Sequence, residues 1–531
     1  MKLLSTDVLV LGSGLTGLRA ALACRERGLN VMVCSKNSPG LGNCTTVSQG
    51  AFSTSGEGFS PDDHRESTLA AGHQLNEESK VDLLVNRAED SVKSLQKYGV
   101  KLQERSRGLN SVSRGIGREG ISIMQPLVDY ARELGVEFIS PFFAWDIIET
   151  DGSAAGVWGF VKNERDPTII CAKAIVLAAG GGGALYSRTD NPPGITGDGY
   201  AMAYRAGLPL MDMEFVQFYP LSTAYKDKPG RFLPPVAAEV GDFLNARQEN
   251  IVDKYGIVRR PLAIASRDTL SRAMALEVFH RRGIDGAVRL DLRNFEARWQ
   301  GSAGRSDNDR LKNWFEGLLD GRDSLLVMPV SHFFMGGVVT DDSCQAELPG
   351  LFAAGEVVGG LHGANRLGGN ALSETAVFGE ISGREAAAYA EGRNSDRLLS
   401  VEGKVRDGLR YLFAEKGGKE ELDAKTLKRK IQVLMWEHAG LIRSEDSLIK
   451  AGEELETYKD LSCSRVKAGS ILAFLELKNM LLVAEMVVES ALLRKESRGS
   501  HYRIDYPEAG DDWLKHIVLQ QKNGGMNLKI T

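Results

Sequence analysis

From Asp7 onward the apolar positions fall into two spacings. DVLVLGSG is an unbroken apolar run that stops at glycines, the pattern of a strand buried on both faces. LTGLRAALACRERG carries its apolar residues at helical spacing and closes on Gly28. NVMVCSK reads as the next strand, so a βαβ unit is expected at the start. A polar helix, SKVDLLVNRAEDSVKSLQKYG, and then GISIMQPLVDYARELGVEFI follow, and the strand AIVLAAGGGG (174–183) ends in four glycines. From about 221 to 324 the rhythm breaks into an arginine-rich, mixed pattern that holds one good helix, PLAIASRDTLSRAMALEVFHRRG. Strand-like runs resume in LLVMPVSHFFMGGVV and LPGLFAAGE. The expected architecture is therefore α/β: a doubly wound domain split into 1–220 and 325–395 by an insertion at 221–324. From 396 to 531 the pattern is helical, as in LKRKIQVLMWEHAGLI and again at 467–494, and the polar tail after Pro507 is expected to be poorly ordered.

Composition narrows the class. At 531 residues the chain exceeds one ordinary core, so two or three domains are expected. A net charge of -5 with no basic stripe argues against nucleic acid as a partner. The six cysteines (Cys24, Cys34, Cys44, Cys171, Cys344, Cys463) include no C-x-x-C pair, which argues against zinc or an iron–sulfur cluster held by this chain alone. No metal is expected, and a disulfide framework at this size is not either, so a reducing compartment is expected. The longest apolar run, 471–488, is interrupted by Glu476, Lys478 and Glu485, which suits a buried amphipathic helix better than a membrane span. The start of the chain lacks the layout of a signal peptide.

The chemistry concentrates at glycine turns. Gly12, Gly14 and Gly17 form G-x-G-x-x-G between a strand and a helix, where backbone amides can cradle a pyrophosphate, with Ser13, Leu15 and Thr16 beside it. Ser35 and Lys36 end the second strand, where an acid commonly takes a ribose; their presence weakens NAD more than FAD. GNCTTVSQGAF is a second, hydroxyl-rich turn whose Asn43, Cys44, Thr45, Gln49 and Gly50 either form an ordinary loop or contact a flavin. Ala179 and Gly180 lie in the glycine-ended run AIVLAAGGGG. Glu356 follows a strand as a candidate ribose ligand or a helix-capping acid. Arg366 stands alone among small residues in HGANRLGGNAL, close to Asn370, Ala371 and Leu372. His332, Arg267, Glu239 and Tyr219 each have a plainer packing or ion-pair account when taken singly.

In order and spacing these motifs match one family. DVLVLGSGLTGLRAALA, MEFVQFYP, ASRD, SHFFMGGVV, PGLFAAGEVVGGLHGANRLGGNALSE and ESRGSHYRIDYPEAGDDWLKH resemble the flavoprotein subunits of succinate dehydrogenase and fumarate reductase, and their relative L-aspartate oxidase. The resemblance implies an FAD-binding α/β domain, an inserted α+β capping domain and a C-terminal helical domain. It implies that Arg366 grips a substrate carboxylate, that His332 hydrogen-bonds substrate, and that Arg267 exchanges a proton opposite the flavin. Glu239 would relay that proton, Glu356 would hold the FAD ribose, and Asp198 would lie near the flavin. The implied reaction interconverts a saturated and an α,β-unsaturated dicarboxylate by hydride transfer at flavin N5. Electrons would pass to an iron–sulfur partner subunit. The implied location is cytoplasmic, peripheral to the inner membrane through partner subunits.

Three departures bear on this. Cys44 occupies the place of the histidine that carries FAD covalently in respiratory members, so non-covalent FAD is expected, with a cysteinyl link as the alternative. Tyr219 stands where members commonly have histidine, and Ala237 lies near the place of an arginine. Both changes remove positive or hydrogen-bonding groups, which points to a substrate with one carboxylate or with more bulk. The competing readings are an L-aspartate oxidase type enzyme and a non-catalytic electron-relay subunit.

Overall fold

A computed structural model describes the chain except residues 57, 106–108, 112–118, 165, 225–229, 302–307, 394–397, 414–422 and 460–470. Cys463 and the first residues of the helix expected at 467–494 lie outside the described residues.

The glycine-ended strands build one seven-stranded sheet. Lys2–Leu11 lies at its centre, parallel to Val31–Cys34 on one side and to Thr168–Leu177 on the other. Glu137–Ile139 extends it parallel at one edge, and Leu351–Ala353 joins Thr168–Leu177 in parallel. A hairpin, Phe142–Thr150 with Ser153–Val161, branches off antiparallel. Parallel strands are covered on both faces, which explains the unbroken burial of Val8 to Leu11. The helices Leu15–Arg25 and Asn370–Ala390 pack together on one face through small residues; a Cβ on Gly383 would lie 2.4 Å from the Ala20 carbonyl oxygen.

A second, antiparallel sheet runs in the order Val216–Thr223, Ser324–Phe334, Val288–Asp291, Asp242–Leu244. Its first strand passes across position 220, so backbone is continuous between the large sheet's domain and the 221–324 segment. The first pair of strands slips register between Gln217 and Phe218 and again after Tyr219. Such irregularities re-aim side chains near functional sites. The expected helix at PLAIASRDTLSR breaks in two, Leu262–Ala265 and Arg267–Phe279, because Ser266 leaves helical geometry (φ -128, ψ 29). The break places Arg267 at the first turn of the second piece.

The C-terminal part holds the helices Leu398–Phe413, Ala424–His438, Glu445–Glu456 and Ile471–Leu493. The last is wrapped by the core, and among the described residues no helix is long and apolar enough to cross a membrane. The tail corrects the expectation of poor order. Ile517–Lys522 and Gly525–Ile530 form a hairpin, and its first strand pairs antiparallel with Leu210–Met211. Ile517 and Leu519 are buried at alternate positions, a period-2 signal too short to stand out in a polar stretch.

Candidate active site

One long cleft runs from the carboxyl ends of the parallel strands to the seam with the antiparallel sheet. At its first end lie Gly12, Ser13, Gly14, Leu15 and Thr16. Gly12 has φ +118, and a Cβ there would sit 2.1 Å from the Ala178 carbonyl oxygen, so only glycine fits. Gly14 opens the helix Leu15–Arg25 without a side-chain cap and without an acid in the first turn, which leaves amides and the positive helix end for an anion. Gly17 is not a cleft residue: a Cβ on it would meet the Gly12 oxygen at 1.9 Å, so it serves the packing of turn on helix.

The second turn comes alongside. The Thr45 hydroxyl accepts from the Leu15 amide (3.3 Å), and Asn43 caps Cys44–Val47 while its Nδ2 has no partner among the described residues. Gln49, Ala179, Gly180, Ala371 and Leu372 line the cleft as expected. Gly50 does not, and Asn370 is turned away, its amide held by the Thr68 hydroxyl (2.9 Å) and its oxygen facing His64 Nε2 (2.8 Å). Ser35 lines the wall with its hydroxyl donated to the Asn37 carbonyl. Lys36 and Asp198 are both present, but as an ion pair at 2.6 Å, with Glu476 as a second partner of Lys36. Glu356 sits beneath Gly181 and accepts from the Phe334 amide; burial pushes its carboxyl up to about 8. Cys44 is half-buried beside Asn191, and desolvation, then Glu356 and Asp190, raise its thiol well above the usual range. An uncapped helix end, a floor of small residues and an unpartnered amide fit a flavin dinucleotide.

The other end gathers charge. Arg267 and Arg366 are 5% and 4% exposed, and both donate to one oxygen, Oε1 of Gln217, at 3.0 Å each. Gln217 is held in that orientation because its Nε2 donates to Asn365 Oδ1 (2.7 Å) and to the Arg366 carbonyl (2.9 Å). Arg366 also lies over the Phe333 ring, 4.6 Å from its centre, and its Nε has no partner among the described residues. Among the described residues neither guanidinium has a carboxylate within 4.0 Å. Sharing an oxygen keeps their donor nitrogens within about 6 Å, a repulsion on the order of 3 kcal/mol at an effective dielectric of about 20. Burial first, then the Arg267 charge, lower Arg366 to about 9, and burial lowers Arg267 as well. His332 faces the same place, its Nδ1 2.7 Å from Asp190 Oδ2. Burial depresses its basicity and Asp190 partly restores it. The carboxylate fixes the Nδ1–H tautomer.

Tyr219 lines this end through its ring alone. Its hydroxyl donates to the Leu233 carbonyl (2.7 Å), and its ring stacks on Phe232 at 4.3 Å. Glu239 is not in the cleft. Its carboxylate takes the Leu262 amide (2.6 Å) and Arg260 (3.2 Å) and faces a separate surface cavity. The expected relay from Arg267 through Glu239 therefore has no contact to carry it.

Two residues of this site were not singled out from sequence. Gln217 shows as a lone amide in the apolar strand run EFVQFYP, a signal that was present. Asp190 sits in an ordinary-looking turn, RTDNPPG, and only the fold brings it to His332.

Comparison with known proteins agrees with this layout. The FAD binding domain model matches residues 7–372 and the fumarate reductase flavoprotein C-terminal model matches 428–531. The chain is 33% identical to an uncharacterized FAD-dependent oxidoreductase of Methanocaldococcus jannaschii, over 98% of this chain and 97% of that one. It is 32% identical to the succinate dehydrogenase flavoprotein subunit of Rickettsia conorii, over 98% of this chain and 93% of that one. The solved E. coli quinol fumarate reductase FrdA, a single-residue mutant, superposes with a TM-score of 0.85 at 28% identity, covering 100% of this chain and 97% of that one. With both family models and relatives matched along almost its whole length, the chain is an FAD-dependent oxidoreductase and belongs to the flavoprotein-subunit family of succinate dehydrogenase and fumarate reductase.

Proposed function

We propose that this chain interconverts a saturated acid and its α,β-unsaturated counterpart, the reaction type of the succinate/fumarate pair. The observation that carries the reading is the buried pair Arg267 and Arg366, two guanidinium forks converging on one neutral oxygen with no carboxylate of their own among the described residues. A substrate carboxylate supplies the missing anion and forms parallel charge-assisted hydrogen bonds to them. Bound FAD supplies hydride exchange at N5 with the substrate carbon. The arginines stabilise the charge that builds on the carboxylate as the double bond is lost. Arg267, whose buried guanidinium holds its proton less tightly than usual, is assigned the proton at the neighbouring carbon, and His332, its Nδ1–H given to Asp190, donates from Nε2 to the carboxylate only in its imidazolium form. The thiol of Cys44, held well above its usual pKa and so not a thiolate, supports non-covalent FAD. Electrons pass to an iron–sulfur partner, in keeping with relatives named as fumarate reductase and succinate dehydrogenase subunits.

Arg366→Met tests the reading. The variant is expected to keep its flavin, seen by its absorbance, and to lose about a thousandfold or more in turnover with reduced viologen as donor. Glu239→Gln, outside the cleft, is expected to change turnover by less than about threefold. Undiminished turnover in Arg366→Met would end the proposal. An L-aspartate oxidase type reaction predicts instead rapid reoxidation of the reduced flavin by oxygen.

A further inference from the structure

The two ends of the space in front of the arginines differ in a way that bears on the substrate, given the reaction proposed above. Arg267 and Arg366 form one donor cluster, sharing the Gln217 oxygen, with His332 lining the same end of the cleft. Two guanidinium forks on one point are enough for one carboxylate. The wall adjoining this cluster is Tyr219, Phe232 and Pro235, with the Tyr219 ring centre 5.1 Å from the Arg267 guanidinium and 5.3 Å from the His332 ring. Tyr219 and Phe232 lie nearly parallel (12°), and the Phe232 ring is also close to parallel with His332 at 6.4 Å. The Tyr219 hydroxyl, the one polar atom of that stack, is already donated to the Leu233 carbonyl.

Along this wall Pro234 and Pro235 have no N–H, and the amides of Leu233, Ala237 and Ala238 are given to the carbonyls of Leu221, Pro234 and Pro235. Among the described residues the cleft's cations are Arg267, Arg366 and Lys36, and Lys36 is neutralised by Asp198 and Glu476. An anion placed against this wall would lose its water without gaining a donor, whereas an apolar planar group would gain burial and ring stacking.

We infer that the substrate carries a single carboxylate, held by Arg267 and Arg366 beside His332, and bears on its β-carbon an apolar planar group that packs against Tyr219, Phe232 and Pro235. The dicarboxylate suggested by the resemblance gives way to a β-substituted enoate. The reaction itself is unchanged: the C=C bond takes a hydride at the β-carbon and a proton at the α-carbon.

The test uses the full-length holoprotein with reduced viologen as electron donor and compares fumarate, crotonate and cinnamate. The wild type is expected to show kcat/KM for cinnamate at least about tenfold above that for fumarate, the scale set by filling or leaving an apolar pocket. Tyr219→His, which restores a ring able to donate and to carry charge, is expected to shift the cinnamate-to-fumarate ratio at least about tenfold toward fumarate. Phe232→Ala, on a separate residue in case the first variant fails to fold, is expected to lower the cinnamate-to-crotonate ratio by about tenfold. Fumarate as the better wild-type substrate would overturn the single-carboxylate inference and leave the reaction standing. If none of the three acids is reduced, the reaction reading fails and this inference falls with it.

Discussion

The molecule buries two clusters of arginine and treats them oppositely. Arg494, fully buried under the C-terminal hairpin, has Glu214 at 2.5 Å, Glu496 at 3.1 Å and Asp212 at 3.5 Å. Its neighbour Arg498 shares Glu496, and Arg503 has Asp505 at 2.6 Å. Arg267 and Arg366 are almost as buried, yet what joins them is the uncharged amide of Gln217. The same side chain in the same burial is a closed strut in one place and an open receptor in the other. The difference lies in the counter-ion: where the chain supplies it, the charge holds helix to sheet, and where it does not, the charge waits for a ligand. An unbalanced buried arginine is a receptor only where it faces a cleft: Arg443, beside Arg494, has no carboxylate within 4.0 Å among the described residues and gives its N–H groups to the carbonyls of Ala439, Gly440 and Glu214.

That contrast can be broken most severely at Arg494. Arg494→Met strands the fully buried Glu214 without its cation and is expected to cost about 3–5 kcal/mol of unfolding free energy by denaturant titration, while Arg366→Met stays within about 1 kcal/mol. Equal losses for both would erase the distinction. A smaller effect is expected from Gln217→Glu, which gives the receptor pair an internal anion. It should weaken carboxylate binding about tenfold to a hundredfold, read from flavin absorbance titrations, and raise the melting temperature. Smallest is the pH response. Arg366 holds its proton up to about 9, and an incoming carboxylate favours the protonated form. Affinity should therefore be flat below that pH and fall about tenfold per unit above it. A flat profile to about pH 10.5 would mean that Arg366 is not the group that receives the anion.

The paired cluster also shows where sequence reading stopped. Arg494, Arg498 and Arg503 are spread through a polar stretch that ends in the tail expected to lack order, and nothing in their spacing distinguishes them from solvated charges. Arg498 and Arg503 pair two positions away, with Glu496 and Asp505, but the Arg494 partners Asp212 and Glu214 lie far back in the chain, in a loop after Leu210–Met211; Arg494 and Glu214 are 280 positions apart. The tail hairpin is fixed by the same loop, for His516 Nδ1 and the Ile517 amide both reach Asp212.

Glu239 is the instructive correction. Its residue type and neighbourhood in the chain suited a proton relay, but the short helix Ala237–Val240 directs its carboxylate to Leu262 and Arg260 instead. A displacement of one or two positions in a turn is enough to send a side chain to another surface, and no periodic signal constrains a turn. Asp190 is the converse case, a turn residue with no sequence mark that becomes the partner of His332.

By itself the sequence determined the parts whose physics is local. A strand that stops at Gly12 and a helix that starts uncapped at Leu15 make an anion cradle with whatever surrounds them, because the tight turn and the free amides belong to consecutive residues. The small residues around Arg366 likewise announced that something must come close to it. Only the tertiary structure decided which charges are balanced. Ion pairing acts through space between residues hundreds of positions apart, so whether a buried arginine is satisfied or left open depends on the packing of sheets and helices and not on its neighbours in the chain.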